Sequence, residues 1–73
     1  MQELLAPPVM TLTPRLRDVL LLMCEGKTTA EVARDLGLSP FTVRNYMQRI
    51  YDRLGAQDRV QAVSIALRAR LIR

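Results

Sequence analysis

Apolar residues recur every three to four positions in four segments of the chain, and polar punctuation separates them. Three of the segments run into a glycine: Gly26 follows "LRDVLLLMCE", Gly37 follows "AEVARDL" and Gly55 follows "TVRNYMQRIYDRL". Glycine accepts the left-handed conformation in which helices commonly end. The starts are marked as well. Thr13 and Ser39 each precede a proline, which pairs a helix cap with a residue suited to the first helical position. Thr28 with Glu31 reads as a capping box, and Asp58 with Gln61 as a looser one. Four helices are predicted, at about residues 14–25, 29–36, 40–54 and 58–69, with no strand pattern between them. The fold class is all-α. Prolines 7 and 8 make residues 1–11 an extended arm or linker, and residues 12–73 form one helical domain. Only "GLS" joins the second helix to the third, which requires a tight helix-turn-helix corner filled by Ala33, Leu36, Leu38 and Val43.

The third helix carries the chemistry. Counting 100° per residue from Val43, Met47, Ile50 and Leu54 fall within about 40° of it and form a buried stripe. Phe41, Asn45, Gln48 and Asp52 lie on the far side, with Arg44 and Tyr51 on one flank and Arg49 and Arg53 on the other. A merely solvated face is usually rich in Glu and Lys. Arg, Asn and Gln instead carry the forked donors and acceptors that match base edges in the major groove of duplex DNA. Arg44, Asn45 and Gln48 are the candidate base contacts, with Phe41 placed to meet a thymine methyl. Thr42, Arg49, Arg53 and Arg59 are the candidate phosphate contacts, which hold position without reading sequence. Asp52 would be repelled among phosphates, so only the first two turns of the helix are expected in the groove.

Charge supports a polyanionic partner. The chain has ten Arg and one Lys against seven acids, and residues 44–73 hold the whole excess at net +5 while residues 1–43 sum to −1. With 73 residues there is room for one domain, whose core must come from Leu, Val, Ile, Met and Ala because there are two Tyr, one Phe and no Trp. Histidine is absent, and no Gly-rich phosphate loop, nucleophile motif or carboxylate pair is present, so neither an enzyme nor a cofactor or metal site is expected. Cys24, the only cysteine, cannot form an internal disulfide and fits a reduced, cytoplasmic setting as a small core residue. No apolar run approaches the roughly 20 residues of a membrane span, and the first ten residues lack a secretory pattern.

The stretches "LTPRLRDVL", "TTAEVARDLGLS", "TVRNYMQRIYDRLGA" and "DRVQAV" resemble, in order and spacing, the successive segments of the LuxR-type (GerE-like) helix-turn-helix domain of bacterial transcription regulators. The resemblance runs from Leu12 to about Ile72. It implies a four-helix fold, a third helix in the major groove, dimer contacts from the fourth helix and a role as activator or repressor, with RNA polymerase as a further partner. Arg44 and Arg53 stand where the family often has Lys. Three positions depart from the pattern. Leu16 replaces a Glu and leaves the Thr13 capping box incomplete, so the first helical turn is expected to be weakly held. Tyr46 replaces a common His, and Arg70 replaces a frequent Gly, which lets the last turn continue as helix.

The fourth helix is apolar around most of its circumference. The wheel from Val60 turns Val60, Val63 and Leu67 inward, whereas the resemblance favours Ala62, Val63 and Ala66. Ile65 stays near the surface either way, so Ala62, Ile65 and Ala69 are the candidate dimer interface, through which two recognition helices would meet an inverted repeat. An alternative function is a protein-interaction module that uses the fourth helix to sequester a related full-length regulator. A cationic membrane-surface role for "SIALRARLIR" is the least favoured class. Both a stand-alone regulator and the end of a longer one fit the sequence.

Overall fold

The structure, a computed structural model, describes residues 12–69. Its four helices are α1 (Pro14–Cys24), α2 (Thr29–Leu36), α3 (Pro40–Leu54) and α4 (Arg59–Arg68), and the described residues contain no strand. The spans expected for α2 and α3 are reproduced, and α1 and α4 differ from expectation by one residue at an end or at each end. The arm at residues 1–11 and the extended last turn at Arg70 lie outside the described residues.

Each helix begins on the cap that its sequence announces. Thr28 Oγ1 accepts from the Glu31 amide at 3.1 Å while Glu31 Oε1 accepts from the Thr28 amide at 2.8 Å, so the capping box is complete. Ser39 Oγ accepts from the Thr42 amide at 3.1 Å, and Asp58 Oδ1 from the Gln61 amide at 2.9 Å. The second box is looser because Gln61 Oε1 receives the Gln57 amide, one residue ahead of the cap, at 2.8 Å. At the α2–α3 corner Gly37 adopts φ +70°, and the chain reverses through a Leu38 amide that reaches Ala33 O at 2.8 Å. The backbone position that glycine reaches without a Cβ penalty is what makes a three-residue corner feasible.

α1 and α3 pack at the centre, with α2 and α4 each leaning on both. The core comprises Leu12; Leu16, Val19, Leu20 and Met23 from α1; Val32 and Ala33 from α2; Val43, Met47, Ile50 and Leu54 from α3; and Ala62 and Ala66 from α4. The predicted stripe of α3 is buried from its first turn to its last. Leu36 and Leu38 are half-buried at the corner, over the fully buried Val43. Cys24 is half-buried against the core, and burial pushes its thiol pKa up despite the nearby Arg59 guanidinium.

α4 presents Ala62 and Ala66 inward, both without solvent exposure, while Val60 and Leu67 are 77% and 54% exposed. The wheel that turned Val60 and Leu67 inward is thereby corrected, and the rotation favoured by the family resemblance is the observed one. Hydrophobicity alone could not choose, because almost every side of α4 is apolar. Size decides: alanine ends at Cβ and lets the backbone of α4 come close to α1 and α3, whereas Val and Leu would hold it away.

Leu16 shows how the incomplete cap of α1 is compensated. Thr13 Oγ1 still accepts the Leu16 amide at 3.2 Å, and the Leu16 side chain, only 2% exposed, sits in the core. The reciprocal bond of a capping box is exchanged for buried apolar surface. A cap is worth about 1 kcal/mol and a buried Leu about 2–5 kcal/mol on removal. Leu16→Glu, which restores the family residue, should therefore lower unfolding free energy by at least about 2 kcal/mol in urea denaturation, since cavity and desolvation losses exceed the cap gained.

Candidate nucleic-acid interface

α3 turns one side to the core and leaves the other open. Arg44, Asn45, Gln48, Arg49, Asp52 and Arg53 are exposed, as is Phe41 at 66%, which is high for a ring in a chain with few aromatics. Ser39 sets the entry of this helix. Its hydroxyl caps Thr42 and donates to Thr42 Oγ1 at 3.0 Å, which leaves Thr42 half-buried at the first turn.

The four candidate base contacts are brought together. Phe41, Arg44, Asn45 and Gln48 line one shallow open hollow of about 380 Å³, floored by Met47 and closed by Thr29 and Tyr51. Thr29, the first residue of α2, donates its hydroxyl to Met47 Sδ at 3.8 Å, so the start of α2 is tied to the floor of the hollow. Thr29 and Tyr51 were not among the sequence candidates. Tyr51 was legible from spacing, since it stands three residues from Gln48 and seven from Arg44. Thr29 was not, because its place depends on how α2 crosses α3. The Tyr51 hydroxyl is pushed up in pKa by burial, against the lowering influence of Arg59, and stays a neutral donor and acceptor at physiological pH.

The cations divide. Arg49 and Arg53 are exposed along the flank of α3 opposite Arg44 and Tyr51. Arg59 is different. Its Nη2 donates to Met23 O at 3.3 Å and to Lys27 O, which anchors the side chain on the α1–α2 turn. A phosphate at Arg59 would share the guanidinium with this internal clamp, because the carbonyl of Met23 at the end of α1 carries partial negative charge. Tyr46, at the family's His position, is half-buried against the core and has a packing role.

Of the expected dimer residues, Ala62 needs revision: it has no exposure and belongs to the core, while Ile65 and Ala69 are half-buried and keep part of their surface outside. The surface apolar residues of α4 are Val60 and Leu67 with half-buried Val63, spaced i, i+3 and i+7 along one side, next to exposed Ser64.

The α1–α2 turn holds α2 in place from outside. Lys27 Nζ pairs with Asp35 at 2.9 Å, and that hydrogen bond raises the Lys27 pKa. The hydrogen bond from the Thr28 amide holds the Glu31 carboxyl below its ordinary range. Among the described residues there is no cluster of three His, Cys, Asp or Glu side chains able to hold a metal, and no helix is long and apolar enough to cross a membrane.

Comparison with known proteins identifies the family. The family described as bacterial regulatory proteins, luxR family, matches residues 10–66. The chain is 39% identical over 67 residues to the probable transcriptional regulatory protein NarL of Mycobacterium tuberculosis, which covers 92% of this chain and 31% of that protein. It is 40% identical over 53 residues to the transcriptional regulatory protein DesR of Bacillus subtilis, covering 73% of this chain and 27% of DesR. An uncharacterized transcriptional regulatory protein of the same bacterium, YvfU, is 46% identical over 55 residues, which are 75% of this chain and 28% of YvfU. The chain thus spans about a third or less of the length of these curated relatives.

The capping box makes the start of α2 sensitive to acid. Because the Glu31 pKa is lowered in the folded state, its contribution is present above the ordinary glutamate range and is lost as pH falls through the lowered value. An NMR acid titration should show the Thr28 amide resonance moving with a midpoint below that of an unperturbed glutamate. In Glu31→Gln, whose carbonyl can still accept that amide, the transition should disappear.

Proposed function

This chain belongs to the luxR family of bacterial regulatory proteins, non-enzymatic DNA-binding regulators of transcription, and we propose that it reads a specific duplex sequence with α3 in the major groove. The observation that carries this reading is the hollow on α3. Arg44, Asn45 and Gln48 converge there with Phe41, so forked polar groups and one apolar ring face the same space. Such a set discriminates base pairs: Arg favours guanine edges, Asn and Gln favour adenine, and an aromatic ring meets a thymine methyl. Arg49 and Arg53 on the flank, with Thr42 at the first turn, supply phosphate contacts that set the depth and direction of the helix. Asp52 lies on the far turn, so the first two turns of α3 enter the groove while Arg49 and Arg53 reach the phosphates at its edge.

The protein acts as a two-fold dimer on an inverted repeat, with α4 as the interface. Support comes from the stripe of Val60, Val63 and Leu67, which exposes large apolar side chains while the adjacent Ser64 lets a symmetry-related helix approach. Isolated exposed apolar residues are ordinary on a protein surface. Two exposed and one half-buried at helical spacing form a self-complementary patch.

Three experiments test the reading. Selection from a random duplex library should yield an inverted repeat, and Asn45→Ala and Gln48→Ala should each relax one base position by about 1–3 kcal/mol. Binding should also fall on the order of a thousandfold between 50 and 200 mM salt if about six phosphates are neutralised. Unchanged stringency in both variants would remove α3 from the groove. Leu67→Glu should abolish cooperative occupancy of two half-sites in gel-shift titrations with the helical circular dichroism preserved, because the residue is exposed. Full cooperativity in that variant would place the interface elsewhere.

A further inference from the structure

α4 meets the rest of the domain in an unusual way. Its fully buried contribution is two alanines, Ala62 and Ala66, which bring the helix close, with Val63, Ile65 and Ala69 half-buried beside them. The first residue of the helix adds a polar, directional contact. Nη2 of Arg59 donates to the carbonyls of both Met23 and Lys27, 36 and 32 residues away in sequence. Met23 belongs to the last turn of α1, where its carbonyl also receives the Gly26 amide at 3.0 Å. Lys27 is the residue immediately before Thr28, the cap of α2. One guanidinium therefore grips the end of α1 and the root of α2 together. The neighbouring residue, Val60, points outward with 77% exposure. Anchor and interface thus occupy consecutive positions on one helical turn.

We infer that Arg59 is a positioning residue that fixes the direction of α4 against the α2–α3 unit, and thereby the separation between DNA half-sites that the dimer accepts. The inference rests on the dimeric DNA-binding reading above. The mechanism is geometric. Changing the spacer of an inverted repeat by one base pair turns one half-site by about 34–36° and moves it by about 3.4 Å. A dimer whose α4 is rigidly joined to its recognition helices resists that change, whereas a dimer with a loosened joint follows it. Arg59 touches no base in this scheme and acts through the helix it holds.

The test uses the full chain, a duplex with a single half-site, and inverted repeats with the preferred spacer and with one base pair added or removed. Arg59→Met keeps the aliphatic stem and removes the donors. It should bind the single half-site within about twofold of wild type, yet lose about fivefold or more of the discrimination between preferred and altered spacers. Arg59→Lys retains a charge at the end of α1 without the planar fork, and should recover part of that discrimination. If Arg59→Met proves unfolded by circular dichroism, Arg59→Lys decides on the same readouts. A folded variant that distinguishes spacers as sharply as wild type would overturn the inference and reduce Arg59 to a stabilising contact. Loss of single half-site binding in a folded variant would overturn it in the other direction, by making Arg59 a direct DNA contact. If wild type itself failed to prefer any inverted repeat, the dimer reading would fall, and this inference with it; sharp spacer selectivity retained by the variants would remove only the inference.

Discussion

The seating of α3 is the constraint from which the rest of the domain follows. Val43, Met47, Ile50 and Leu54 stay buried along a helix of fifteen residues, which fixes both its depth and its rotation. Rotation matters more, because residues that alternate between core and surface at 3.6 per turn leave no freedom in what faces outward once the stripe is set. The polar side of α3 is thus a by-product of apolar packing. Burial of each large side chain is worth about 1.5–3 kcal/mol, so turning the helix to present another face would cost several such burials at once. Thr29 reinforces the same choice from α2 by bonding Met47, a member of the buried stripe.

The parts legible in the sequence are those governed by local rules. Thr13, Thr28, Ser39 and Asp58 announce helix starts because a cap is a bond between near neighbours. Gly37 announces a corner because only its own backbone is at stake. The stripe of α3 was legible because its opposite side is polar, which gives the period an unambiguous phase. α4 lacks that contrast, and its rotation is decided by the clearance between helices. The internal bonds of Arg59 were hidden for a related reason. A basic residue near a basic helix resembles a phosphate ligand until the carbonyls of Met23 and Lys27, more than thirty residues earlier in the chain, are folded against it.

Leu16, Tyr46 and Arg59 together describe how this member of the family distributes its polar groups. Leu16 and Tyr46 bring apolar surface to positions where relatives often carry a charged or titratable side chain, and both pack toward the core. Arg59 directs its guanidinium to backbone carbonyls. The described core holds no polar or charged side chain. Polar side chains are concentrated at caps, at turns and on the outer side of α3, where they remain available to a partner in water.

The core built without aromatic rings has an optical consequence. Phe41, Tyr46 and Tyr51 are the only aromatic residues of the chain, and all three lie on α3, outside the fully buried core. Phe41 and Tyr51 border the hollow itself. Aliphatic side chains neither fluoresce nor contribute to near-ultraviolet dichroism, so the packed interior is spectroscopically silent. Tyrosine emission of this protein therefore reports on the recognition helix and its seating, since Tyr46 and Tyr51 are half-buried against the core. Backbone dichroism, which those rings do not dominate, follows the other three helices, so the two intrinsic signals together separate events on α3 from loss of the whole fold.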